Sequence, residues 1–261
     1  MYGKSIRLSR LMVHPSERLC IVPMDHGTTY GPINGIENPI KLIGQIIQGG
    51  ADAVVVHKGI LKQVACNKTL ANGRYIMHLS ASTMLSLDSN NKVLIGSVEE
   101  ALKLGADGVS IQVNLGTGSD NYMIEKLGEV SKACMEWGMP LLAMVYSYNK
   151  PQDYTEIAHA ARLAEELGAD LVKVCCPSQI EYVHKVMESV QIPVLIAGGS
   201  VVTDEAQLFK TINNVLKEGA SGVAIGRNIF QRNNPEEILH LISKLVHGEL
   251  KLEEVLTKLK Y

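Results

Sequence analysis

The sequence predicts a single-domain α/β protein with the (β/α)8 TIM barrel fold, and three observations favour it. A motif of Gly, Ala, a polar residue and an apolar run occurs four times, beginning at Gly50, Gly105, Gly168 and Gly219. Each interval between copies is too long for one strand–helix unit and suits two, and further short apolar runs supply the additional strands. The length of 261 residues is close to the roughly 250 residues typical of one such barrel.

The eight predicted strands fall into two sets. Four follow the glycines of the motif, where each glycine is a natural C-cap for the helix before it. The other four are predicted at residues 19–25, 75–79, 141–146 and 194–197. Short β-branched runs that alternate with helical patterns indicate a parallel sheet with helical crossovers. No linker interrupts this alternation, so we expect one catalytic domain over residues 1–261.

The predicted helices begin with residues 5–11, which are expected to close the bottom of the barrel. A polar loop at 28–38 leads to Pro39, which suits the first position of a helix, and a second polar loop occupies 86–92. Further helices are predicted at 98–104, 123–137, 154–167, 180–190, 205–217 and 236–246. A last amphipathic helix at 249–260 places Leu252, Val255, Leu256 and Leu259 on one face.

Composition argues against several kinds of partner. The net charge is −2 and no long basic run occurs, so neither nucleic acid nor an anionic membrane is an expected partner. No apolar run approaches the roughly 20 residues that span a bilayer, and the polar N-terminus lacks the apolar core of a signal peptide. The five cysteines are odd in number and scattered, which indicates reduced thiols in a cytoplasmic protein.

Lys173 is the only charged residue in an apolar run that is predicted to be a buried strand. In the repeated motif it takes the position that Val55, Ser110 and Ala224 hold in the other copies. Burial lowers the pKa of a lysine, and the neutral amine is a nucleophile toward carbonyls. Lys173 is therefore a Schiff-base candidate. The alternative at this point is a lysine that pairs with a buried carboxylate for structure.

Two further side chains are expected to meet Lys173 in the mouth of the barrel, because alternate residues of a strand share one face. Asp25 ends the first strand in phase with Ile21, and Tyr146 ends the fifth in phase with Leu142. Amine, carboxylate and phenol can supply the nucleophile, the proton shuttle for carbinolamine dehydration and the acid or base that Schiff-base chemistry needs. We expect neither a cofactor nor a metal for this chemistry.

The last two strands end in sequences that suit a phosphate site. Gly198-Gly199 follows the seventh strand and Gly226-Arg227 follows the eighth. Glycines allow backbone N–H groups to approach phosphate oxygens, and arginine adds a charge-assisted contact. Because barrels often bind phosphate at this pair of loops, we expect a phosphorylated substrate. Tight loops with a solvated arginine are the alternative.

Histidines at the ends of the first three strands allow other interpretations. His26, His57 and the neighbouring Lys58 are expected to bind substrate. Alternatively, His26, His57 and His78 hold a divalent metal that polarises a carbonyl, although Lys173 would then have no role. A flavin-binding or non-enzymatic barrel with the same phosphate loops is a third class. The other histidines, at positions 14, 159, 184, 240 and 247, are expected at the surface.

Several motifs resemble those of the archaeal-type class I aldolases of the DeoC/FbaB superfamily. They are Pro23-Met24-Asp25-His26-Gly27, His57-Lys58-Gly59-Ile60, His78-Leu79-Ser80, Trp137-Gly138-Met139-Pro140-Leu141, Val172-Lys173 and Gly226-Arg227-Asn228-Ile229-Phe230-Gln231. The resemblance covers nearly the whole chain. It is greatest to the 2-amino-3,7-dideoxy-D-threo-hept-6-ulosonate synthases, and archaeal fructose-bisphosphate aldolases are more distant.

The resemblance implies an aldolase or transaldolase that forms an imine between Lys173 and a phosphorylated ketose. The enzyme would pass a three-carbon fragment to an aldehyde, L-aspartate semialdehyde, in a route to aromatic amino acids. The resemblance places the acid/base aspartate at Asp25 and the proton-transfer tyrosine at Tyr146, and it implies a homo-oligomer such as a decamer. Two related activities stay open: a fructose-bisphosphate aldolase, and an aldolase of secondary metabolism that joins dihydroxyacetone phosphate to aspartate semialdehyde.

The chain departs from the family pattern in two places where substrate should bind. After Tyr146, the usual Pro-Arg-Gly is replaced by Ser147-Tyr148-Asn149, followed by Lys150. The usual Gly-Gly after His-Leu-Ser is replaced by Ala81-Ser82. A substrate contact of the missing arginine is expected to be lost or to move to Lys150, so these changes concern the acceptor rather than the aldolase chemistry.

Overall fold

Eight parallel strands form a closed barrel in the computed structural model, which describes residues 2–259. They are β1 (Leu19–Pro23), β2 (Ala53–Val56), β3 (Tyr75–His78), β6 (Gly108–Leu115), β7 (Leu141–Ser147), β8 (Leu171–Val174), β9 (Val194–Ala197) and β10 (Gly222–Ala224). The order around the barrel is β1-β2-β3-β6-β7-β8-β9-β10, and β10 closes on β1. The predicted (β/α)8 barrel is confirmed. After β3, β4 (Ser80–Ala81) and β5 (Val93–Leu94) form an antiparallel pair, which the sequence did not predict.

The helices occupy the intervals between the strands, as predicted. They are α1 (Tyr2–Leu11), α2 (His26–Tyr30), α3 (Pro39–Gln48), α4 (Lys58–Ala65), α5 (Val98–Lys103), α6 (Asp120–Trp137), α7 (Tyr154–Glu166), α8 (Val183–Glu188), α9 (Glu205–Lys217), α10 (Arg227–Phe230), α11 (Pro235–Val246) and α12 (Leu252–Lys258). A 3-10 turn at Ile180–Tyr182 precedes α8. No helix between residues 2 and 259 combines the length and apolar character needed to cross a bilayer.

Several helix boundaries differ from the prediction, since α1 begins at Tyr2 rather than at 5 and α6 at Asp120 rather than at 123. The short α2 occupies the start of the segment expected to be a loop at 28–38. The C-terminal helix begins at Leu252 rather than at 249, and within it Val255 is fully buried, as its position on the apolar face predicted. The end of that predicted helix, Lys260, lies outside the described residues, as do Met1 and Tyr261.

The four glycines of the repeated motif follow their helices in the left-handed backbone region. Gly50, Gly105, Gly168 and Gly219 have φ angles of 91°, 79°, 89° and 97°. Residues with a Cβ atom are strained at such angles, so glycine is the residue that lets the chain turn from each helix into the next strand.

The aspartate of the motif ties neighbouring strands together at the bottom of the barrel. In three copies its carboxylate accepts a backbone hydrogen bond from near the start of the adjacent strand. The three bonds are Cys20 N to Asp52 Oδ2 (2.6 Å), Tyr75 N to Asp107 Oδ2 (3.0 Å) and Leu141 N to Asp170 Oδ2 (2.8 Å). Each aspartate immediately precedes its own strand, so each bond fixes where two strands begin relative to one another.

The barrel interior contains the faces that the strand periodicity predicted to point inward. Its apolar members are Leu19, Ile21, Ala53, Val55, Ile76, Leu142, Met144, Leu171, Leu195 and Ala224. Leu11, the last residue of α1, packs in the same cluster, so α1 closes the bottom of the barrel as expected. Tyr146 packs against this cluster from above, and Lys173 shares the inward face of β8 with Leu171.

One histidine assignment was wrong. His247 was expected at the surface, but its side chain is only 4% exposed and its Nε2 lies 3.1 Å from Asp52 Oδ2. The ring of His14 stacks on it at 4.0 Å between centroids, and Ser16 Oγ lies 3.0 Å from its Nδ1. His247 therefore belongs to a polar cluster beneath the barrel, on the side away from Lys173.

Candidate active site

A cavity of about 160 Å³ opens at the C-terminal ends of the barrel strands. It is lined by Lys173 from β8, Asp25 from the turn after β1, Tyr146 from β7, Arg227 from α10 and His26 from α2. Parallel strands present their C-terminal ends at one side of a barrel, which is where barrel enzymes carry out their chemistry. The structure thus places Lys173, Asp25 and Tyr146 together, although they are far apart in the sequence.

Lys173 lies on β8 level with Met144 of β7 and Leu195 of β9. It is 8% exposed, and within residues 2–259 its amine has neither a hydrogen bond nor an ion pair. Burial lowers the pKa of Lys173, while the nearby carboxylate of Asp25 opposes this shift. The amine is therefore held ready for deprotonation rather than locked in a structural salt bridge.

Asp25 lies between two histidines. Its Oδ1 is 3.7 Å from His26 Nδ1, and its Oδ2 is 3.7 Å from His78 Nε2. Burial raises the pKa of Asp25, but its electrostatic interactions with His78, His26 and Lys173 outweigh burial and hold that pKa well below its usual value. Burial lowers the pKa of His78 to about 3, so its ring is neutral at neutral pH. Ser110 Oγ is 2.8 Å from His78 Nδ1 and Ser80 Oγ is 3.3 Å from His78 Nε2, so each ring nitrogen faces a hydroxyl group.

Tyr146 stands two residues beyond Met144 on β7, one layer nearer the mouth than Lys173. Burial raises the pKa of Tyr146 well above its usual value, and the nearby Cys175 and Asp25 raise it further. Its phenol is therefore neutral and can donate a proton within the cavity. Tyr148 also lines the cavity, but it follows the end of β7 and is 44% exposed.

The two glycine-rich loops are joined by Asn228, a residue that was not singled out from the sequence. Asn228 is fully buried, and its Nδ2 donates to the carbonyls of Gly198 and Ser200, both at 2.9 Å. Its Oδ1 accepts from Val202 N at 2.8 Å. One amide side chain thus fixes the loop after β9 against the segment after β10.

Glycine is required at two positions of these loops. Gly199 has a φ of 63°, and a Cβ at Gly226 would lie 2.6 Å from the backbone oxygen of Pro23. Arg227 Nη2 donates to Gly199 O at 3.1 Å, and its side chain lines the cavity with Lys173. The expected pair of loops with one guanidinium is therefore assembled beside the candidate nucleophile.

Five predicted substrate contacts lie outside the cavity lining: Lys58, His57, Gly198, Gly199 and Gly226. Lys58 forms an ion pair with Glu100 at 3.2 Å. The ring of His57 is engaged on both sides, with Nδ1 at 3.2 Å from His78 O and Nε2 at 3.0 Å from Thr28 Oγ1. His57 thus links the ends of β2 and β3 to α2.

The three-histidine metal site does not form. Among residues 2–259, no group of three or more His, Cys, Asp or Glu side chains is arranged to hold a metal ion. The rings of His57 and His78 lie 5.3 Å apart between centroids, but both nitrogens of each ring already face hydrogen-bond partners.

Lys92 is the main site residue that was missed. It was assigned to a polar loop at 86–92, yet it is buried and lines the cavity with Lys173. Its Nζ donates to Ser82 Oγ at 2.7 Å, across the β4–β5 pair. The replacement of a usual glycine by Ser82 was the one signal in the sequence that this region had changed. Lys150, the substitute expected for the missing arginine, is exposed and lies outside this cavity.

The arrangement suits the addition of an amine to a carbonyl. Lys173 supplies a buried nucleophile, Asp25 a carboxylate and Tyr146 a phenol, all on one cavity. These groups can move the protons that imine formation and the breaking of a carbon–carbon bond require. Arg227 adds a fixed positive charge for an anionic substrate group.

Comparisons with known proteins agree with this chemistry. The model for DeoC/LacD family aldolases matches residues 19–232. The chain is 42% identical over 257 residues to the 2-amino-3,7-dideoxy-D-threo-hept-6-ulosonate synthase 1 of Archaeoglobus fulgidus, covering 98% of this chain and 95% of that protein. It is 38% identical over 251 residues to the 2-amino-4,5-dihydroxy-6-oxo-7-(phosphonooxy)heptanoate synthase of Streptomyces griseus, covering 95% and 91%.

A solved structure also matches. It is that of a Schiff-base-forming fructose-1,6-bisphosphate aldolase, with a TM-score of 0.84 and 27% identity over 93% of this chain and 99% of that chain.

Proposed function

We propose a reaction for this chain, which belongs to the DeoC/LacD family of aldolases. It takes a three-carbon fragment from a phosphorylated ketose and joins it to an aldehyde acceptor, L-aspartate semialdehyde. The observation that carries the proposal is Lys173, a buried amine without an ion pair among the described residues, which opens into the same cavity as Asp25, Tyr146 and Arg227. The chain is an aldolase that works through a lysine imine, and Lys173 is the lysine we assign to it.

The first half of the reaction forms and cleaves the imine. The neutral amine of Lys173 adds to the ketose carbonyl, and the carbinolamine loses water to give the imine. Asp25, held as a carboxylate, exchanges protons in these steps. The imine withdraws electrons from the neighbouring carbon–carbon bond. That bond breaks as the hydroxyl on the departing carbon passes its proton to a basic group of the site such as the Asp25 carboxylate, so this fragment leaves as an aldehyde and an enamine remains on Lys173.

The second half reverses this chemistry with a new aldehyde. The enamine carbon attacks the acceptor carbonyl, Tyr146 donates a proton to the developing alkoxide, and water then releases the product from Lys173. Because Tyr146 lies nearer the mouth than Lys173, it is placed for the acceptor oxygen rather than for the imine nitrogen. A raised phenol pKa keeps the proton available at neutral pH.

The names of the two relatives support a four-carbon amino aldehyde as acceptor. Both describe seven-carbon 2-amino acids with an oxygen function at C6. Such a chain results when a three-carbon fragment is joined to aspartate semialdehyde. The products differ at C7, which carries a phosphate in the Streptomyces griseus enzyme's product and is deoxy in that of the Archaeoglobus fulgidus enzyme.

The second candidate is therefore a direct aldol addition of dihydroxyacetone phosphate to aspartate semialdehyde, which the Streptomyces griseus relative favours. The test is to supply L-aspartate semialdehyde with either dihydroxyacetone phosphate or a phosphorylated ketose and to weigh the product by mass spectrometry. A seven-carbon amino acid from the ketose supports the main proposal, and a phosphorylated one from dihydroxyacetone phosphate supports the second. Cleavage of fructose 1,6-bisphosphate without any seven-carbon product would refute both.

The oligomeric state is also a proposal. Homo-oligomeric assembly follows only from the resemblance to class I aldolases of this superfamily. Light scattering on the purified protein tests it, and a mass equal to one 28.4 kDa chain would contradict it.

A further inference from the structure

Lys92 is a second buried lysine in the cavity, and the mechanism above does not use it. It is 8% exposed, like Lys173. Its Nζ donates one hydrogen bond, to Ser82 Oγ at 2.7 Å, and among residues 2–259 it has no ion pair. Removing an ammonium from water is costly unless a counter-charge compensates, so an anion bound beside Lys92 would stabilise its charged form.

The hairpin that carries Lys92 holds it in place. Ala81 of β4 pairs with Val93 of β5, so Ser82 and Lys92 face each other just beyond this pair. Ser82 Oγ in turn donates to the carbonyl of Ser89 at 2.6 Å. Burial lowers the pKa of Lys92, and the Asp25 carboxylate opposes that shift. An anion bound at Lys92 would stabilise its ammonium form further.

The position of Lys92 separates it from the phosphate loops. Its hairpin rises between β3 and β6, whereas the glycine-rich loops follow β9 and β10. In the ring of eight strands, β3 is four places from β9, and β6 is four places from β10. Lys92 and Arg227 therefore line the same cavity from opposite sides of the barrel, with Lys173 on a strand between them.

Two cations on opposite sides suit two anions at opposite ends of the bound reactants. A ketose monophosphate brings one anionic group, and Arg227 with the glycine-rich loops takes it. The new carbon–carbon bond forms near Lys173, so the far end of the acceptor aldehyde extends away from those loops toward β3 and β6. Asn90 and Gln112 line the cavity with Lys92 and add polar amide groups there.

We propose that Lys92 binds the anionic group of the acceptor aldehyde, the carboxylate in the case of aspartate semialdehyde, and so selects anionic acceptors over neutral ones. This inference rests on the proposed function, because it assumes that an acceptor enters after the donor is cleaved. It assigns Lys92 to the acceptor step only, so imine formation with the donor does not depend on it.

The test compares Lys92→Met with the parent protein on pairs of acceptors at saturating donor. Succinic semialdehyde and butanal have four carbons each and differ in the carboxylate. Lys92→Met should lower kcat/KM for aspartate semialdehyde and succinic semialdehyde by about 10- to 100-fold, the effect of losing a hydrogen bond to a charged group. Turnover of butanal, and borohydride trapping of the donor on the protein, should stay within about twofold.

Four further variants complete the design. Lys92→Arg keeps the charge and should restore part of the preference for succinic semialdehyde. Ser82→Ala leaves the lysine but removes its hydrogen bond, so it should raise the KM for carboxylated acceptors alone, and it serves if Lys92→Met does not fold. Lys103→Met, at an exposed lysine on α5, is the matched control and should change nothing. Lys150→Met removes the lysine that was expected to replace the missing arginine, and it should leave the preference for carboxylated acceptors unchanged.

The outcomes separate this inference from the proposed function. If the parent protein does not use aspartate semialdehyde, the proposed function fails, and glyceraldehyde 3-phosphate with glyceraldehyde then tests Lys92 as a second charged and neutral pair. Equal losses for charged and neutral acceptors in Lys92→Met, or loss of donor trapping, overturn the role of Lys92. So does a carboxylate preference that disappears in Lys150→Met instead.

Discussion

Replacing Tyr146 by phenylalanine should abolish turnover and leave imine formation intact. The change removes one hydroxyl and keeps the ring that packs against the apolar interior of the barrel. Tyr148→Phe is the matched control, because Tyr148 lines the same cavity from beyond the end of β7. The comparison asks which of two neighbouring phenols donates the proton at the reacting carbon–oxygen bond.

The expected magnitude follows from the environment of each ring. Burial raises the pKa of both phenols, but Tyr146 is inside the strand and Tyr148 is 44% exposed. A positioned general acid contributes roughly 10²- to 10⁴-fold, and a displacement of about 1 Å can cost 100-fold. We therefore expect kcat to fall by roughly 10²- to 10⁴-fold in Tyr146→Phe. In Tyr148→Phe, water can reach the site and substitute for the lost hydroxyl, so kcat should change little.

The assay has two parts. Steady-state product formation measures kcat, and borohydride reduction in the presence of a ketose phosphate, followed by intact-mass analysis, measures the imine. Tyr146→Phe should give a full adduct without turnover. The reverse ranking of the two variants, or a Tyr146→Phe protein that forms no adduct, would refute the assignment of Tyr146 to proton transfer after imine formation.

Three other predictions follow from the site and the barrel. Lys173→Ala should lose the borohydride adduct completely, and an adduct that persists in the variant would exclude Lys173. In the parent protein, the rate of imine formation should rise with pH and level off below 10.5, the ordinary lysine value, because burial lowers the pKa of Lys173. Arg227→Ala should raise the donor KM by roughly 10- to 100-fold through loss of a charge-assisted contact, and inorganic phosphate should compete with donor in the parent; an unchanged KM would rule out this phosphate site. Asp170→Ala removes the hydrogen bond from Leu141 N at 2.8 Å and the ion pair to Lys4 at 2.9 Å. The free energy of unfolding, measured with urea, should fall by about 1–3 kcal/mol while kcat is retained. An unchanged free energy of unfolding would contradict the role of Asp170 in joining the two strands.

The barrel and its inward faces could be predicted because they are periodic. The repeated glycine motif marks four strand starts, and alternation along each strand then determines which residues face inward. Lys173 and Tyr146 follow directly, since each is two residues along from an apolar residue of the inner cluster, Leu171 and Met144. Asp25 could be predicted in the same way, because it follows β1 in phase with Ile21.

The missed features depend on contacts that have no periodicity. The β4–β5 pair has two residues in each strand, too few for an alternating pattern, so Lys92 looked like an ordinary solvated charge in a polar loop. Its burial depends on Ser82, ten positions earlier in the chain. The amide of Asn228 likewise acquires its role only when the ends of β9 and β10 come together. The burial of His247 was missed because its partner, Asp52, is far from it in the sequence.

One strand shows how the repeated motif links stability to chemistry. Asp170 precedes β8 and accepts the Leu141 N–H at the start of β7, which fixes the relative start of the two strands. Lys173 lies three residues later on β8 and pairs with Met144 on β7. A slip of one residue between these strands would turn every side chain of β8 to the opposite face, and the lysine would then point out toward the helices. Asp170, at the bottom of the barrel, thus helps to set the strand register that directs the Lys173 amine into the cavity at the top. The other copies of the motif have a small or apolar residue at this inward-facing position, and in β8 a lysine takes its place.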